Sequence, residues 1–592
     1  MLRSSIVVPV GRRRLVASAF LTLALAVAPV ARGAESHGSA GAVVAAENVA
    51  AAEIGLAVLD EGGSAVDAAI AASLAGCVVH SASCGIGGGG FMVIWDARTG
   101  RAFALDYRET APGNASGDQY LVDGKYVRER SRTGALAVGV PGEIAGLAAA
   151  HARFGRLPWT RLVQPSIDLA RDGVPITEHL ARTLASERER IHADPELAAL
   201  LLHEDGSPPA AGERVKMPHL ERTLRAVADG GPAAFYRGKV AAAIAGTVQA
   251  KGGSLRESDL AAYAPIWREP LQTTYRGSTV YTMPPPSAGG TALVLALETL
   301  SRFDVKALGS DSAERWHVFA EILKHAFADR ARFAGDPEFD APAPPPDGAA
   351  LRARISLDRT HAPDFYGTTA PAKSDAGTAH VSVIAADGSA AAATTTINTS
   401  FGALLGARGV GVILNNELDD FSFPAPNLFG LAPGTSNRIA PGKRPASSMT
   451  PTVAVRDGKA IVAVGASGGP LIISATLEVL TNVLDFAMPA EAAVAAPRAH
   501  HQWQPNLLLV EPGVGAPARE GLAHLGHEIR EIPEVAAVSL ATALPGAEAA
   551  GAGDARKGGA ARTRSGGDPE RDQWQDGAPA NLAERSRVPA QP

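Results

Sequence analysis

The sequence predicts an α+β protein, with a mainly helical first half followed by a strand-rich second half. Apolar residues recur at helical spacing through residues 143–154, 159–172 and 313–333. After about residue 378 the pattern changes to short β-rich runs separated by turn signals. The composition, 46% hydrophobic and 20% charged, is that of a globular chain.

The length and charge exclude several classes of protein. A chain of 592 residues can bury a large core in three or four domains, or fewer large ones. The 55 basic and 61 acidic residues give a net charge of -6, so we expect no nucleic-acid partner held by phosphate contacts. The two cysteines, Cys77 and Cys84, lack zinc-ligand spacing and allow one short-loop disulfide.

The two ends of the chain read as segments outside the folded body. Residues 1–33 combine a basic start with an apolar run and small residues, which is typical of a signal peptide and predicts a periplasmic or secreted protein. An uncleaved anchor is the alternative, but the apolar run is shorter than the roughly 20 residues that a span needs, so we expect no stable membrane span. Residues 563–592 are polar and rich in Gly and Pro, which predicts a disordered tail.

Between the ends, the elements follow from local patterns. Residues 43–79 predict two helices broken at 61–63, with Ser64 capping the second and Asp67 completing the cap. The proline-rich stretch 340–375 predicts an exposed, flexible connection. Further helices are predicted at residues 220–230, 239–249, 290–301 and 471–486, and strands at 380–385, 391–398, 410–414, 452–455 and 460–464.

Thr378, which follows Gly377 at the start of a predicted strand, is a candidate nucleophile. A threonine hydroxyl needs a base beside it, and an N-terminal threonine supplies its own α-amine. That amine titrates near pH 7.7–8.0, which suits general-base chemistry. Thr378 becomes N-terminal only if the chain is cut before it. Taken alone, a threonine here is better explained by ordinary strand propensity, and the nucleophile needs further support.

The hairpin that follows brings a second hydroxyl to Thr378. Asp387-Gly388 is a turn signal between two β-rich runs. A three-residue loop, 386–388, places Thr378 opposite Thr396, with Asn398 on the same face. A two-residue loop would put the two threonines on opposite faces.

Several further stretches, in order along residues 40–562, resemble the γ-glutamyltranspeptidase family of N-terminal-nucleophile hydrolases. The resemblance implies an αββα four-layer sandwich. It also implies a precursor that cuts itself at Gly377–Thr378 into a large subunit, 34–377, and a small subunit, 378–562, which stay together as a heterodimer. The motifs are GGGGFM at 87–92, DYRE at 106–109, VPG at 140–142, MPPP at 283–286, HAFADR at 325–330, LNNELDDFS at 414–422, RPASSM at 444–449, GASGG at 465–469 and AAPR with HHQW at 495–503.

The resemblance implies a site for glutathione or other γ-glutamyl donors, with water, amino acids or peptides as acceptors and with no cofactor or metal. Its positions match the nucleophile Thr378, the orienting hydroxyl Thr396 and the oxyanion-hole glycines Gly468 and Gly469. For the α-carboxylate of the donor they match Arg108, Ser447 and Ser448, and for its α-ammonium Asn398, Glu417 and Asp420.

Three features of the sequence invite other interpretations. The run 87–90 lacks the Lys-Ser/Thr of a phosphate loop and predicts close backbone packing. His500 and His501 lack metal-ligand partners at a suitable spacing, so we expect a structural role. Residues 423–431 resemble a lid over the substrate, with Phe429 where some relatives have tyrosine.

Two other functions compete with this interpretation. One is a cephalosporin (glutaryl) acylase of the same fold, whose donor lacks the α-ammonium that Glu417 and Asp420 would bind. The other is a secreted homologue that does not cut itself and binds γ-glutamyl compounds or a partner without catalysis.

Overall fold

A computed structural model of the chain describes residues 41–367, 377–423 and 436–564. Two antiparallel sheets lie face to face at its centre, and helices pack on the outer face of each sheet. The predicted αββα sandwich is therefore confirmed. In chain order the sandwich strands are β1 (Ala42–Ala46), β2 (Gly89–Asp96), β3 (Arg101–Tyr107), β4 (Ile266–Arg268), β5 (Leu271–Tyr275), β6 (Ser278–Thr282), β7 (Gly377–Ile384), β8 (Ala390–Asn398), β9 (Thr452–Arg456), β10 (Lys459–Ser467), β11 (Ala537–Thr542), β12 (Ala550–Gly553) and β13 (Ala560–Arg564).

The first sheet has the order β13-β1-β7-β8-β2-β3-β4, and the second has the order β12-β11-β10-β9-β6-β5. Strands from both ends of the described chain meet in the first sheet, where β13 pairs with β1 and β1 with β7. The strand that begins at Gly377 is therefore central. Shorter strands form separate ribbons at Leu121–Val122 with Lys125–Tyr126, Val174–Pro175 with Arg214–Val215, Gly406–Ala407 with Val412–Ile413, and Ala499–His500 with Leu508–Val510 and Ile529–Glu531.

Helices cover both sheets. Those of the 49–262 region pack mainly on the first sheet, the helices Ala288–Leu300 and Leu471–Leu484 pack on the second, and the helix Ala313–Phe333 packs on Ala288–Leu300. Short 3₁₀ helices lie at Gly117–Tyr120, Ala135–Ala137, Pro363–Phe365, Glu417–Asp420 and Ala555–Lys557. The α-helices are α1 (Val49–Asp60), α2 (Ala65–Val79), α3 (Glu129–Arg132), α4 (Glu143–Phe154), α5 (Trp159–Asp172), α6 (Glu178–His192), α7 (Pro195–Leu201), α8 (Pro218–Gly230), α9 (Ala233–Tyr236), α10 (Gly238–Ala250), α11 (Glu257–Ala262), α12 (Ala288–Leu300), α13 (Val305–Leu308), α14 (Ala313–Phe333), α15 (Gly348–Arg354), α16 (Leu471–Leu484), α17 (Ala490–Ala495) and α18 (Ala516–His524).

The central strands send alternate side chains into two different apolar cores. Val381 and Val383 of β7 face the helices, whereas Ile384 packs between the sheets. Thr378 has the parity of Ile384, so it points into the space between the sheets. All eight residues of β7 are buried, because both faces of the strand are covered.

The helices match the sequence prediction more closely than the strands do. The predicted ranges 143–154, 159–172 and 313–333 coincide with α4, α5 and α14. The Ser64 cap of α2 is a capping box with Asp67, as predicted. However, β1 to β6 were missed as strands, and the predicted strand 410–414 is reduced to the two-residue Val412–Ile413 of a separate ribbon.

Two boundaries need correction. The predicted flexible stretch 340–375 contains helix α15 and a 3₁₀ helix, Pro363–Phe365, because Leu351 packs into the second core. The disordered tail was predicted from residue 563, but Thr563 and Arg564 belong to β13 and pair with β1. The predicted signal peptide, and most of the predicted tail and lid, lie outside the described residues.

Candidate active site

The hairpin of β7 and β8 places Thr378 beside Thr396. The two residues are register partners, and Gly388 in the turn has the left-handed φ of 84° that a three-residue loop requires. The predicted pairing is confirmed. A register shift between Gly377 and Thr378 makes Asn398 the partner of Gly377. The peptide bond predicted to be cut therefore lies at an irregularity in the strand.

The Thr396 hydroxyl connects the two sides of that peptide bond. It donates to the Gly377 carbonyl at 2.7 Å and accepts from the Thr378 hydroxyl at 3.3 Å. It also accepts the Asn398 N–H at 2.8 Å, which satisfies its hydrogen-bonding capacity. Thr378 is only 4% exposed and Thr396 only 2%. The structure thus holds the Thr378 hydroxyl and the Gly377 carbonyl around one shared hydroxyl.

The glycine run 87–90 packs against this hairpin. A Cβ at Gly88 would overlap the Thr396 carbonyl oxygen, and one at Gly90 would overlap that of Thr394. The Gly88 carbonyl accepts the N–H groups of Gly142 and Glu143. The prediction of close backbone packing is confirmed, and the run fixes the strand that carries Thr396.

At the other end of the site, a buried arginine meets two carboxylates. The Arg108 guanidinium hydrogen-bonds Glu417 and also Asp420, the latter at 2.5 Å. It donates as well to the backbone carbonyls of Pro445, at 3.3 Å, and Ala446, at 3.1 Å. Its side chain is 1% exposed. The residues that the resemblance assigns to opposite ends of a zwitterion are therefore paired with one another in this structure.

Burial dominates the proton equilibria of this charged cluster. It raises the pKa of Glu417 and of Asp420, although Arg108 opposes the shift in both. Burial likewise raises the pKa of Glu109, whose carboxylate lies 3.7 Å from Arg108, to about 8. The three carboxylates raise the pKa of Arg108 against its own burial, so this residue stays cationic. A positive charge in addition to Arg108, placed near these carboxylates, would lower their pKa values and favour their ionised forms.

Two asparagines hold the acidic turn in place. The Asn415 side chain donates to the carbonyls of Gly87 and Gly139 and accepts the N–H groups of Gly139 and Glu417. The Asn416 carbonyl accepts from the Asn398 side chain at 2.9 Å. These bonds connect the Glu417–Asp420 turn to both the glycine run and β8. The acidic turn is therefore a fixed part of the sandwich rim.

Of the remaining predicted residues, Ser447, Ser448 and Gly469 line the pocket and Gly468 does not. Gly469 has a left-handed φ of 57° and leads into α16. Gly468, with φ 140°, is packed against Ala536 and does not line the pocket. Ser447 accepts the Met449 N–H, which leaves its own proton able to point at a ligand. The pocket is lined by Arg108, Arg330, Thr378, Thr396, Asn398, Glu417, Asp420, Ser447, Ser448, Met449, Gly469, Pro470 and Ile472.

Sequence reasoning missed three charged residues here. Arg330 lines the pocket, and its only signal was its place in the motif 325–330. Lys557 donates to the Thr378 carbonyl at 3.2 Å, and its ammonium lies 3.6 Å from Glu47. Lys557 is 179 positions from Thr378 and Glu47 is more than 300 from His380, its backbone partner. No local pattern could have joined them.

Other polar clusters lie away from this pocket. His317, Glu321 and His527 offer ligand atoms within 4.8 Å of one another, but Glu321 already binds Lys324 at 3.1 Å and the Tyr366 hydroxyl at 2.6 Å. The expectation of no metal stays a prediction.

The sequence also singled out a histidine pair and two cysteines. His500 bonds Ser474, and His501 accepts the backbone N–H of Trp503, in line with a structural role. Cys77 and Cys84 are buried, free thiols, so the disulfide that the sequence allowed is not formed.

Two stacked sheets between helical layers, with a threonine near the start of a central strand, define an N-terminal-nucleophile hydrolase. The sequence profile of the gamma-glutamyltranspeptidase family matches residues 51–563, and the chain belongs to this family of enzymes. The glutathione hydrolase proenzyme of Escherichia coli K12 is 37% identical over 524 residues, which cover 87% of this chain and 90% of that protein.

Solved structures agree with this assignment. The Bacillus halodurans cephalosporin acylase has a TM-score of 0.78 at 25% identity, covering 89% of this chain and 96% of the acylase. The Helicobacter pylori gamma-glutamyltranspeptidase has a TM-score of 0.52 at 36% identity, covering 53% of this chain and 91% of that one. None of the helices in the described ranges is both long and apolar enough to cross a bilayer.

Proposed function

We propose that the protein is an exported γ-glutamyltranspeptidase that cuts itself at Gly377–Thr378 and then uses Thr378 as its nucleophile. One observation carries the proposal: the Thr396 hydroxyl bonds both the Gly377 carbonyl and the Thr378 hydroxyl. A bond from Thr396 to the Gly377 carbonyl polarises that group, and the second bond gives the Thr378 proton an acceptor.

Self-cleavage then follows in two steps. The Thr378 Oγ1 attacks the Gly377 carbonyl carbon while the Thr396 hydroxyl donates to the carbonyl oxygen, and the proton of the Thr378 hydroxyl is transferred to the departing Thr378 nitrogen. The C–N bond breaks and an ester joins Gly377 to the Thr378 side chain. Water hydrolyses this ester, which leaves a carboxylate on Gly377 and a free amine on Thr378. The products are the large and small subunits, which stay together through the first sheet.

In turnover the same hydroxyl attacks the γ-carbonyl of a donor such as glutathione. The free amine of Thr378 takes the hydroxyl proton and returns it to the leaving nitrogen, so a γ-glutamyl ester forms on Thr378. The family resemblance assigns the oxyanion to backbone N–H groups at Gly468 and Gly469, and Gly469 is the one of the two that lines the pocket. Water, an amino acid or a peptide amine then takes the γ-glutamyl group, and no cofactor enters the reaction.

The charged end of the pocket fits the zwitterionic head of a γ-glutamyl group. Arg108, with Ser447 and Ser448, offers a planar fork and hydroxyls to an α-carboxylate. The carboxylates of Glu417 and Asp420, with the side-chain amide oxygen of Asn398, offer acceptors to an α-ammonium. Binding replaces the ion pairs of Arg108 with Glu417 and Asp420 by two new ones. Arg108 pairs with the α-carboxylate of the substrate, and the two acids pair with its α-ammonium, so no net charge enters the buried site.

The decisive test compares the wild type with Thr378→Ala by intact mass and N-terminal sequencing. We expect a wild-type small chain that begins at Thr378 and an uncut variant. Thr183→Ala, which removes a hydroxyl bonded within its own helix, is the matched control and should be cut normally. A folded wild type that stays uncut would refute self-cleavage and favour a binding homologue.

A cephalosporin (glutaryl) acylase is the second candidate, favoured by the likeness to the Bacillus halodurans acylase over 89% of the chain. The cleaved enzyme would be given a γ-glutamyl anilide and a glutaryl anilide, which differ only in the α-ammonium. We expect kcat/KM to favour the γ-glutamyl compound. The opposite preference would assign the acylase function instead.

Export forms part of the proposal and rests on the pattern of residues 1–33. Cell fractionation should find the protein in the periplasm or medium, with a large subunit that begins close to residue 34. A full-length N-terminus on a cytoplasmic protein would refute this part alone.

A further inference from the structure

The structure holds a buried cation against the backbone of Thr378, outside the set of residues that line the substrate pocket. The Lys557 ammonium donates to the Thr378 carbonyl at 3.2 Å and to the Ser467 hydroxyl at 2.7 Å. Lys557 is 9% exposed. Its charge therefore acts on Thr378 with little screening by water.

The position of Lys557 is set by a rigid turn. It ends the 3₁₀ helix Ala555–Lys557, which Asp554 caps through the Arg556 N–H. Asp554 is itself bound by Arg498 at 2.7 Å and accepts the Val538 N–H at 3.0 Å. These bonds join the turn to the second sheet, so the ammonium is held at a fixed distance from β7.

We propose that Lys557 is a positioning residue that keeps the α-amine of Thr378 unprotonated and so ready to act as the base. The inference rests on the proposed function, because that amine exists only after cleavage at Gly377–Thr378. The Lys557 ammonium bonds the carbonyl of Thr378, the residue that carries the amine, so the two nitrogen atoms lie close together. Protonation of the amine would place two positive charges side by side, and their repulsion disfavours it. Lys557 thereby lowers the pKa of the amine below its ordinary range of about 7.7–8.0.

The other groups around Thr378 leave this effect in place. Glu47 lies 3.6 Å from Lys557 and accepts the His380 N–H, so it offsets part of the cationic field. Burial lowers the pKa of His380 to about 3, and that of His80 well below its usual range, so both are uncharged. Other titratable groups in this part of the described chain are the buried thiols Cys77 and Cys84 beside Ala379, and, in the pocket, Arg108, Arg330, Glu417 and Asp420. Asp554 and Glu534 also act on Glu47 and Lys557, and burial lowers the pKa of His179, near Lys557, to about 4, so that it is uncharged.

The size of the effect follows from Coulomb's law. Two unit charges about 5 Å apart at an effective dielectric constant of about 20 shift a pKa by roughly two units. Glu47 cancels part of this, so we expect a net shift of about one unit. The acidic limb of kcat/KM reports the pKa of the essential base in the free enzyme.

The test is the pH profile of kcat/KM for a γ-glutamyl anilide in the cleaved enzyme. Lys557→Met should raise the acidic pKa by about one unit and lower kcat/KM about 10-fold near pH 6.5, with little change above pH 9. Lys557→Arg keeps the charge and should retain the wild-type pKa. Lys459→Met, which removes an exposed lysine at the start of β10, is the matched control and should change neither value.

A second variant gives a shift of opposite sign, which a purely structural role would not produce. Glu47→Gln removes the partner carboxylate and should lower the acidic pKa. If the Lys557→Met variant does not cut itself, the acidic pKa of Glu47→Gln decides whether the inference holds. The pKa of the amine is checked without turnover by the pH dependence of its acetylation with acetic anhydride, read by mass spectrometry of the small-subunit N-terminal peptide.

The outcomes separate the inference from the function on which it rests. A wild type that is cut and active, with an acidic pKa that neither Lys557→Met nor Glu47→Gln moves, overturns the role of Lys557 and leaves the proposed function standing. An uncut, inactive wild type overturns both. Opposite shifts in the two variants, in activity and in acetylation, support the inference.

Discussion

Replacing Thr396 with valine should stop self-cleavage without unfolding the protein. Valine keeps the shape of the side chain and removes the hydroxyl that donates to the Gly377 carbonyl at 2.7 Å. Losing one preorganised donor to a developing oxyanion costs about 2.7–4 kcal/mol, or roughly 10²–10³-fold in rate. The Asn398 N–H also loses its acceptor, which adds about 1–3 kcal/mol of destabilisation.

The neighbouring residue provides the matched control. Thr395 lies on the same strand but on the opposite face, where its hydroxyl contacts both carboxylate oxygens of Glu143 at 2.8 Å. Thr395→Val therefore leaves a similar buried group without its partner and should cost similar stability, yet it should be cut at the wild-type rate. Thr396→Ser keeps the hydroxyl and should cut within about 10-fold of wild type.

The assay is cell-free synthesis followed by intact mass, which measures the uncut fraction over time, with urea unfolding of each purified chain. The proposed role for Thr396 is refuted if its valine variant is cut within 10-fold of wild type. It is equally refuted if Thr395→Val slows cleavage as strongly, since the effect would then follow stability and not chemistry.

Three further predictions address substrate binding, pH and backbone geometry. Arg108→Gln should raise KM for a γ-glutamyl donor about 100-fold or more, since a buried charged partner is lost, and unchanged initial-rate kinetics would contradict this. Burial raises the pKa of Glu143 to about 8. Between about pH 4.5 and pH 8 the folded protein therefore keeps a proton on Glu143 that the unfolded chain releases. The free energy of unfolding should fall as pH rises from about 4.5 to about 8. Urea unfolding at pH 5 and pH 8 should therefore show a loss in the wild type that Glu143→Gln reduces, by on the order of 4 kcal/mol at most. Gly469→Ala forces a methyl-bearing residue into the left-handed φ of 57°, so we expect kcat to fall about 100-fold in steady-state assays. Gly246→Ala is the matched control, because Gly246 lies in α10 with open space at its Cβ position, and it should keep wild-type kcat.

The parts of the fold that the sequence predicts are those with a local cause. Helix α2 starts at a capping box whose two residues are three apart, and the β7–β8 register depends on a three-residue turn. Strand β2 was missed because all eight of its residues are buried, and a strand covered on both faces shows no polar alternation. Strand β1, AVVAA, was absorbed into the alanine-rich helical pattern that follows it.

The candidate site divides in the same way. Most pocket residues could be predicted because they lie in short sequence motifs whose residue types indicate a function. Examples are a threonine that follows a glycine and two acidic residues in one turn. Lys557 and Arg330 belong to no local chemical pattern, and only the packing of the two sheets and α14 brings them to the site. The pairing of Arg108 with Glu417 and Asp420 was also unforeseen, because sequence reasoning assigned those residues to a substrate and not to one another.

That pairing bears on which donor the pocket accepts. Glu109, Glu417 and Asp420 surround Arg108, and burial raises the pKa of all three carboxyl groups, so the cluster already resists further negative charge. A zwitterionic donor brings a carboxylate for Arg108 and an ammonium for the carboxylates that it displaces. A glutaryl donor brings only the carboxylate, so Glu417 and Asp420 would lose their cation and one of them would have to take up a proton. Electrostatics in this buried site therefore favours the γ-glutamyl donor, and the preference should weaken as pH falls and the displaced carboxylates become protonated.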